Sequence, residues 1–210
     1  MDNPIDIHLL FPKVVAHAKV HLTENQELDI EKVYNETKFC STRPFDKANV
    51  VEMSESLNIM DELPILKEKC LTIFNSFKNS IMRQESTQFK MTTSWFTKTR
   101  PGQNNGFHKH GNQDYSMVFY FKNPKKVQIT FEDLNPGHNR EITSTELNQL
   151  NRGDWTFDMG NNELLIFPSE VYHKIGVNNS EDIRYSIAFN LFPISEIGEG
   201  DSKIKMSCEV

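Results

Sequence analysis

The sequence predicts a mainly β domain with N-terminal helices: an antiparallel sandwich or rolled barrel with one long helix packed against it. Two observations carry this. After residue 88 the chain is a succession of short segments rich in β-branched and aromatic residues, separated by Gly, Asn and Pro turns rather than by helical patterns. Just upstream lies an amphipathic stretch whose single apolar stripe needs a flat partner such as a sheet. The 210 residues fit a single domain: 1–86 as N-terminal strands and supporting helices, 87–197 as the β core, and 198–210 as a loosely attached tail.

Taken in order, residues 5–22 alternate well enough for one or two strands broken at Pro12, which cannot donate to a ladder. His8, His17 and His21 lie here at irregular spacing and read as surface or strand-packing residues. A helix is expected over 24–39, with Leu28, Ile30, Val33 and Tyr34 on its apolar side. Over 61–84, Leu63, Leu66, Cys70, Ile73, Phe74, Phe77 and Ile81 recur at steps of three and four. That is one stripe on a helix of about six turns, with Asp61 as N-cap and Pro64 tolerated in the first turn. Strands follow over 89–99, 115–121, 127–132, 155–159, 163–167, 172–177 and 183–192. The turns between them include Asn135, Pro136 and Gly137, then 160–162 and 178–180.

A net charge of -6 argues against binding long nucleic acid through a general electrostatic field. Cys40, Cys70 and Cys208 are an odd set without CxxC spacing, so they read as free thiols of a reducing compartment, Cys70 as a core residue. No apolar run approaches the roughly 20 residues of a membrane span, and the first residues lack a signal-peptide pattern. A cytoplasmic location is expected, with no membrane partner; a homodimer stays open.

The candidate chemistry begins at His108 and His110, two residues apart before an apolar strand, where an extended backbone projects both imidazoles onto one face. They form half of a metal site. In 170–177, alternation places His173 on the same inward face as Val171 and Ile175. In 184–192, one face carries Arg184, Ser186, Ala188 and Asn190, the other Tyr185, Ile187, Phe189 and Leu191. Small residues alternating with one long cation suit a wall facing an enclosed polar ligand. Arg presents a planar fork to a carboxylate, and a Ser two residues on can add a hydroxyl.

In this order and spacing, HLLFP near the start, Ser94 and Trp95, HKHGNQDYSMVFYF, LLIFPSEVYHKI and RYSIAFNLF with a Gly-rich tail resemble a known family. The chain is similar to the iron(II)- and 2-oxoglutarate-dependent dioxygenases of the double-stranded β-helix (jelly-roll, cupin-like) fold. The likeness is to their prolyl-hydroxylase-like branch and its small phage and marine microbial relatives, and it covers residues 5–198. The resemblance implies that His108, His110 and His173 ligate iron. It also implies that Arg184 holds the far carboxylate of 2-oxoglutarate with the Tyr120 hydroxyl, that Ser186 or Asn190 lines that pocket, and that Trp95 packs nearby. One departure stands out: the usual set is two histidines and a carboxylate, and His110 stands where the carboxylate would be. Asp114 is the reserve carboxylate.

The activity so implied is oxidative decarboxylation of 2-oxoglutarate to succinate and carbon dioxide, with O2 consumed and an unidentified small-molecule or peptide substrate hydroxylated. Three protein ligands would leave room for the co-substrate's keto oxygen and adjacent carboxylate and for oxygen. Two other readings compete: a metal- or sugar-binding jelly roll without turnover, and a three-His zinc enzyme of cupin type. Arg184 with Tyr120 separates the first from an oxygenase, and the co-purifying metal separates the second. Lys98, Arg100 and Lys109 are expected to flank the mouth, and Gln103, Asn104, Asn105 and Gly106 to form a mobile polar loop.

Overall fold

In the computed structural model, described over residues 6, 8–41, 51–134 and 144–207, the N-terminal strand is short. Only β1 (Ala16–Lys19) forms where 5–22 was expected to alternate; residues 1–5 and 7 lie outside the described residues. Helix α1 (Glu24–Glu36) opens on a capping box, Thr23 and Gln26 each accepting from the other's backbone N–H. It stops three residues short of the expected end. Thr37 turns extended, its hydroxyl donates to the Val33 carbonyl, and Phe39 instead starts β2 (Phe39–Ser41), which pairs with β3 (Glu52–Ser54). On α1, Ile30 is buried whereas Leu28 faces solvent.

The long helix, α2 (Pro64–Ser80), is shorter than the predicted 61–84 at both ends. Proline disfavours the α region in the residue before it, so Leu63 lies outside the helix and residues 59–61 form a separate 3-10 turn. Asp61 is therefore not the N-cap; it pairs with Lys67. At the other end Arg83 has φ +55, and the buried Lys78 ammonium donates to the Gln84 and Glu85 carbonyls. Leu63, Leu66, Cys70, Phe74 and Phe77 are buried as the stripe requires, while Ile81, past the last turn, is exposed.

The strands that follow keep close to the expected bounds, except β5, which was not expected: β4 (Phe89–Thr99), β5 (Asn105–His108), β6 (Tyr115–Phe121), β7 (Val127–Glu132), β8 (Asp154–Met159), β9 (Glu163–Pro168), β10 (Tyr172–Ile175) and β11 (Arg184–Pro193). The expected turn at Asn135, Pro136 and Gly137 lies outside the described residues. The tail is more ordered than predicted, since β12 (Glu196–Ile197) pairs with β13 (Ile204–Lys205). Gly198 makes that hairpin feasible: at φ +82, a Cβ there would lie 2.4 Å from the Ser202 carbonyl oxygen. Cys208 lies outside the described residues.

Two sheets face each other, with strand orders β1-β9-β6-β11-β4-β3-β2 and β5-β10-β7-β8. This is the predicted antiparallel sandwich with its helices outside. Period-2 alternation sorts the central strands between two cores. Odd-numbered residues of β6 and β11, including Met117, Phe119, Ile187, Phe189 and Leu191, pack under α2 with Phe74 and Cys70. Even-numbered residues Val118, Tyr120 and Ala188 face Ile129, Phe131 and Met159 of the smaller sheet. Because β6 is covered on both sides, it is buried along its whole length. No helix of the described residues is long and apolar enough to cross a membrane.

Phe74 is the pin of the helix face, 1% exposed and within 5.3 Å, ring to ring, of Phe89 and Tyr115. Phe74→Ala is expected to lower unfolding free energy by about 3–5 kcal/mol, as for large buried aromatics cut to alanine. Urea unfolding measures it; a loss below about 1 kcal/mol, the scale of an exposed site, would show that α2 does not pack as described.

Candidate metal centre

The space between the sheets receives three imidazoles from three segments. His108 ends β5 and lies directly across from His173 of β10 in the antiparallel ladder. His110 follows in a turn that Asn112 permits, at φ +59. The turn is fastened to the β9–β10 connection: the His110 N–H donates to the Ser169 carbonyl at 2.9 Å, and the Ser169 N–H to the Asp114 carbonyl at 3.0 Å. Thus the Pro-Ser turn that returns the chain toward the sheet also positions the second histidine. The pair does not share one extended strand, as the sequence suggested, yet it converges.

The potential ligand atoms of His108, His110 and His173 lie within 4.8 Å of one another. His173 is 2% exposed and packs its ring 4.7 Å from Phe167. The Nδ1 of each ring is occupied. His108 Nδ1–H donates to the Gly106 carbonyl at 2.8 Å and His173 Nδ1–H to the Val171 carbonyl at 3.0 Å, while His110 Nδ1 faces Asn190 Oδ1 at 2.6 Å. A backbone carbonyl only accepts, so in His108 and His173 the proton sits on Nδ1 and the Nε2 lone pair is free for a metal. Burial, reinforced by His108, pulls the His173 pKa down to about 3; burial also lowers that of His110. Both rings are neutral at pH 7, the state a metal requires.

A second buried polar group lies further along the same face of the larger sheet. In register across it run Ser116, Asn190 and Thr93, then Val118, Ala188 and Trp95, then Tyr120, Ser186 and Thr97, with Arg184 opposite Thr99. Tyr120 and Arg184 are 1% and 6% exposed, and the Tyr120 hydroxyl and Arg184 Nη2 have no hydrogen-bond partner among the described residues. They lie close enough for the charge of each to act on the other. Burial drags the guanidinium down to about 10, against the influence of Tyr120. A buried cation and a buried hydroxyl, both short of an acceptor, fit an anionic ligand with carboxylate oxygens. Trp95 stands where the resemblance put it, its ring 5.5 Å from His110.

Other expectations are corrected. The Asn190 amide, expected as a possible pocket lining, is engaged by His110, Ser116 and Thr93. Ser186, half-buried opposite Tyr120, is the better placed of the two. Asp114 is no member of the cluster; its backbone N–H and carbonyl are spent on Leu191 and Ser169. Lys98 and Arg100 turn away from the mouth to Glu52, at 3.1 and 2.8 Å, with Lys98 over the Phe39 ring. Lys109 lies over Tyr172. The expected mobile loop is fastened instead: Gln103 accepts from the Arg100 and Asn178 N–H groups, and residues 105–106 belong to β5. His17 pairs with Glu163 at 3.2 Å. Missed altogether were Ser116 and Ser169, both fully buried, with hydroxyls 2.8 Å apart beside His110. The only available signal was a small hydroxyl inside the otherwise bulky run YSMVFYF.

Comparison with known proteins agrees with this fold. Residues 93–190 match a family model described as "Putative 2OG-Fe(II) oxygenase". Among solved structures, the chain is similar to an oxidoreductase of the 2OG-Fe(II) oxygenase family from Burkholderia pseudomallei, at TM-score 0.62 and 9% identity, covering 84% of each chain. A prolyl hydroxylase from Trichoplax adhaerens, in complex with a hypoxia inducible factor peptide fragment, matches at TM-score 0.57 and 11% identity, over 85% of this chain and 83% of that one. HygX from Streptomyces hygroscopicus, with nickel, 2-oxoglutarate and hygromycin B bound, gives 0.57 and 9%, over 86% and 83%. No curated protein matches the sequence.

Proposed function

We propose that the chain is a 2OG-Fe(II) oxygenase, a reading supported by the family match over residues 93–190, in which His108, His110 and His173 hold the iron and Arg184 with Tyr120 holds the far carboxylate of 2-oxoglutarate. The single observation that supports the assignment most is the pairing of a three-imidazole cluster with a buried guanidinium and phenol, on the same side of the sheet, that lack partners among the described residues. Three imidazoles suit zinc as well as iron, but a simple zinc site gives no reason to bury an unsatisfied Arg184 beside Tyr120. Bound there, iron(II) would supply the oxidising power for an overall reaction in which dioxygen, 2-oxoglutarate and a substrate give succinate, carbon dioxide and the hydroxylated substrate.

The chain's own residues bind, orient and exclude water. Nδ1–H bonds to Gly106 and Val171 keep two rings in one tautomer, so their Nε2 atoms meet without rearrangement. Val118, Leu165, Phe167 and Ala188 make the wall between the imidazoles and Arg184 apolar, which strengthens the attraction of the guanidinium for a carboxylate. Trp95 covers the His110 side. We take the substrate to be a small molecule or peptide.

The test is anaerobic reconstitution of the purified chain with iron(II), titration with 2-oxoglutarate, and admission of oxygen. Saturable co-substrate binding and slow succinate release without added substrate are expected. Absence of both, with iron bound, overturns the assignment.

A further inference from the structure

We infer that Asn190, Ser116 and Thr93 form a device that selects the tautomer and fixes the orientation of His110. The inference rests on the proposed iron site and goes beyond it, since it concerns how this chain makes a third histidine usable as a ligand. His108 and His173 are keyed by main-chain carbonyls, which can only accept. His110 is keyed by a side-chain amide, which can either accept or donate. If the amide nitrogen faced His110, its ring proton would sit on Nε2 and the ligand lone pair would be lost.

In the structure the amide stands the useful way round. Asn190 Nδ2 donates to Thr93 Oγ1 at 3.0 Å, leaving Oδ1 toward His110 Nδ1 at 2.6 Å. The Ser116 hydroxyl donates to the same Oδ1 at 2.9 Å, and its oxygen lies 2.8 Å from the Ser169 hydroxyl and 3.0 Å from His110 Nδ1. Ser116, Ser169 and Asn190 are 0%, 0% and 6% exposed, so water does not compete for these bonds. The β-bulge at Thr92 contributes as well. Because Asn190 pairs with Thr93 and Leu191 with Met91, Thr92 is the extra residue; its hydroxyl reaches the Asn190 carbonyl and Gln113 Oε1. The bulge thereby clamps Asn190 from its backbone while Thr93 clamps its amide. A carboxylate ligand needs no tautomer selection; a histidine in its place does.

Asn190 and Ser116 are thus positioning residues, and cobalt(II) titration of the metal-free protein tests them, with the visible spectrum reporting coordination. Asn190→Leu, which can neither accept nor donate, is expected to weaken cobalt binding by about 10–100-fold, the usual effect of losing such a partner. The ring 15N shifts of His110 should change from one tautomer to a mixture. Asn190→Asp, which can only accept, should restore tight binding, and Ser116→Ala should give a smaller loss. Cobalt affinity within about twofold of wild type in Asn190→Leu, with an unchanged spectrum, overturns the inference. So does an Asn190→Asp variant that is folded by its thermal midpoint and binds cobalt no better than His110→Ala, and this arm remains decisive should the leucine variant not fold. The underlying iron-site assignment fails differently: the wild type then holds no cobalt, or His110→Ala binds it as the wild type does.

Discussion

His173→Ala is expected to remove iron binding and 2-oxoglutarate turnover together. The ring is the most buried of the three, and loss of a ligand should weaken the metal by more than about 100-fold, the upper figure for loss of a mere supporting partner. Because its pKa lies at about 3, the wild-type imidazole is neutral and competent across any neutral assay. The variant also leaves a gap between Phe131 and Phe167, whose rings lie 5.9 and 4.7 Å from it, so a stability loss of roughly 1–3 kcal/mol is expected. Metal analysis after dialysis, a succinate assay and a thermal melt separate these effects. A folded variant that retains iron stoichiometrically would remove His173 from the ligand set.

Arg184→Ala should do the opposite: keep the iron and lose the co-substrate. Truncating one partner of a buried charge pair costs about 2–5 kcal/mol, which corresponds to 2-oxoglutarate binding at least about thirtyfold weaker. Tyr120→Phe removes one hydrogen bond to a charged carboxylate and should weaken binding by about 1.5–3 kcal/mol, roughly ten- to a hundredfold. The sign of the stability change is also informative. Arg184 is a buried cation without a full set of partners, and burial already lowers its pKa to about 10. Arg184→Met should therefore match or exceed the wild type in thermal midpoint when 2-oxoglutarate is absent, and fall below it when 2-oxoglutarate is saturating. Equal loss of iron and of 2-oxoglutarate binding in Arg184→Ala would count against the role.

The strands β4, β6 and β7 were legible to the residue because 89–99 is rich in Thr and aromatics, 115–121 is a short bulky apolar run, and 127–132 alternates. The stripe on α2 was also legible, whereas its first turn was not, since the proline that a helix tolerates at its start also forbids the residue before it from joining. Strands β2 and β3, of three residues each, carry too little pattern to be seen; they exist because Phe39 and Met53 find partners across the sheet. β5 was missed because NNGF reads as a turn. Its strand character comes from pairing with β10.

Residue types and their order along the chain already carried the sandwich, the three histidines, and the face of β11 that holds Arg184, because side-chain parity in a strand is a local property of the backbone. Which imidazole leans on which acceptor, why Asn190 serves His110 rather than Arg184 and Tyr120, and why Lys98 and Arg100 turn to Glu52 were decided only when distant segments met. Hydrogen bonds across 53 to 80 residues of chain, such as Ser116 to Ser169 and His110 to Asn190, depend on register and burial, and no local pattern encodes either.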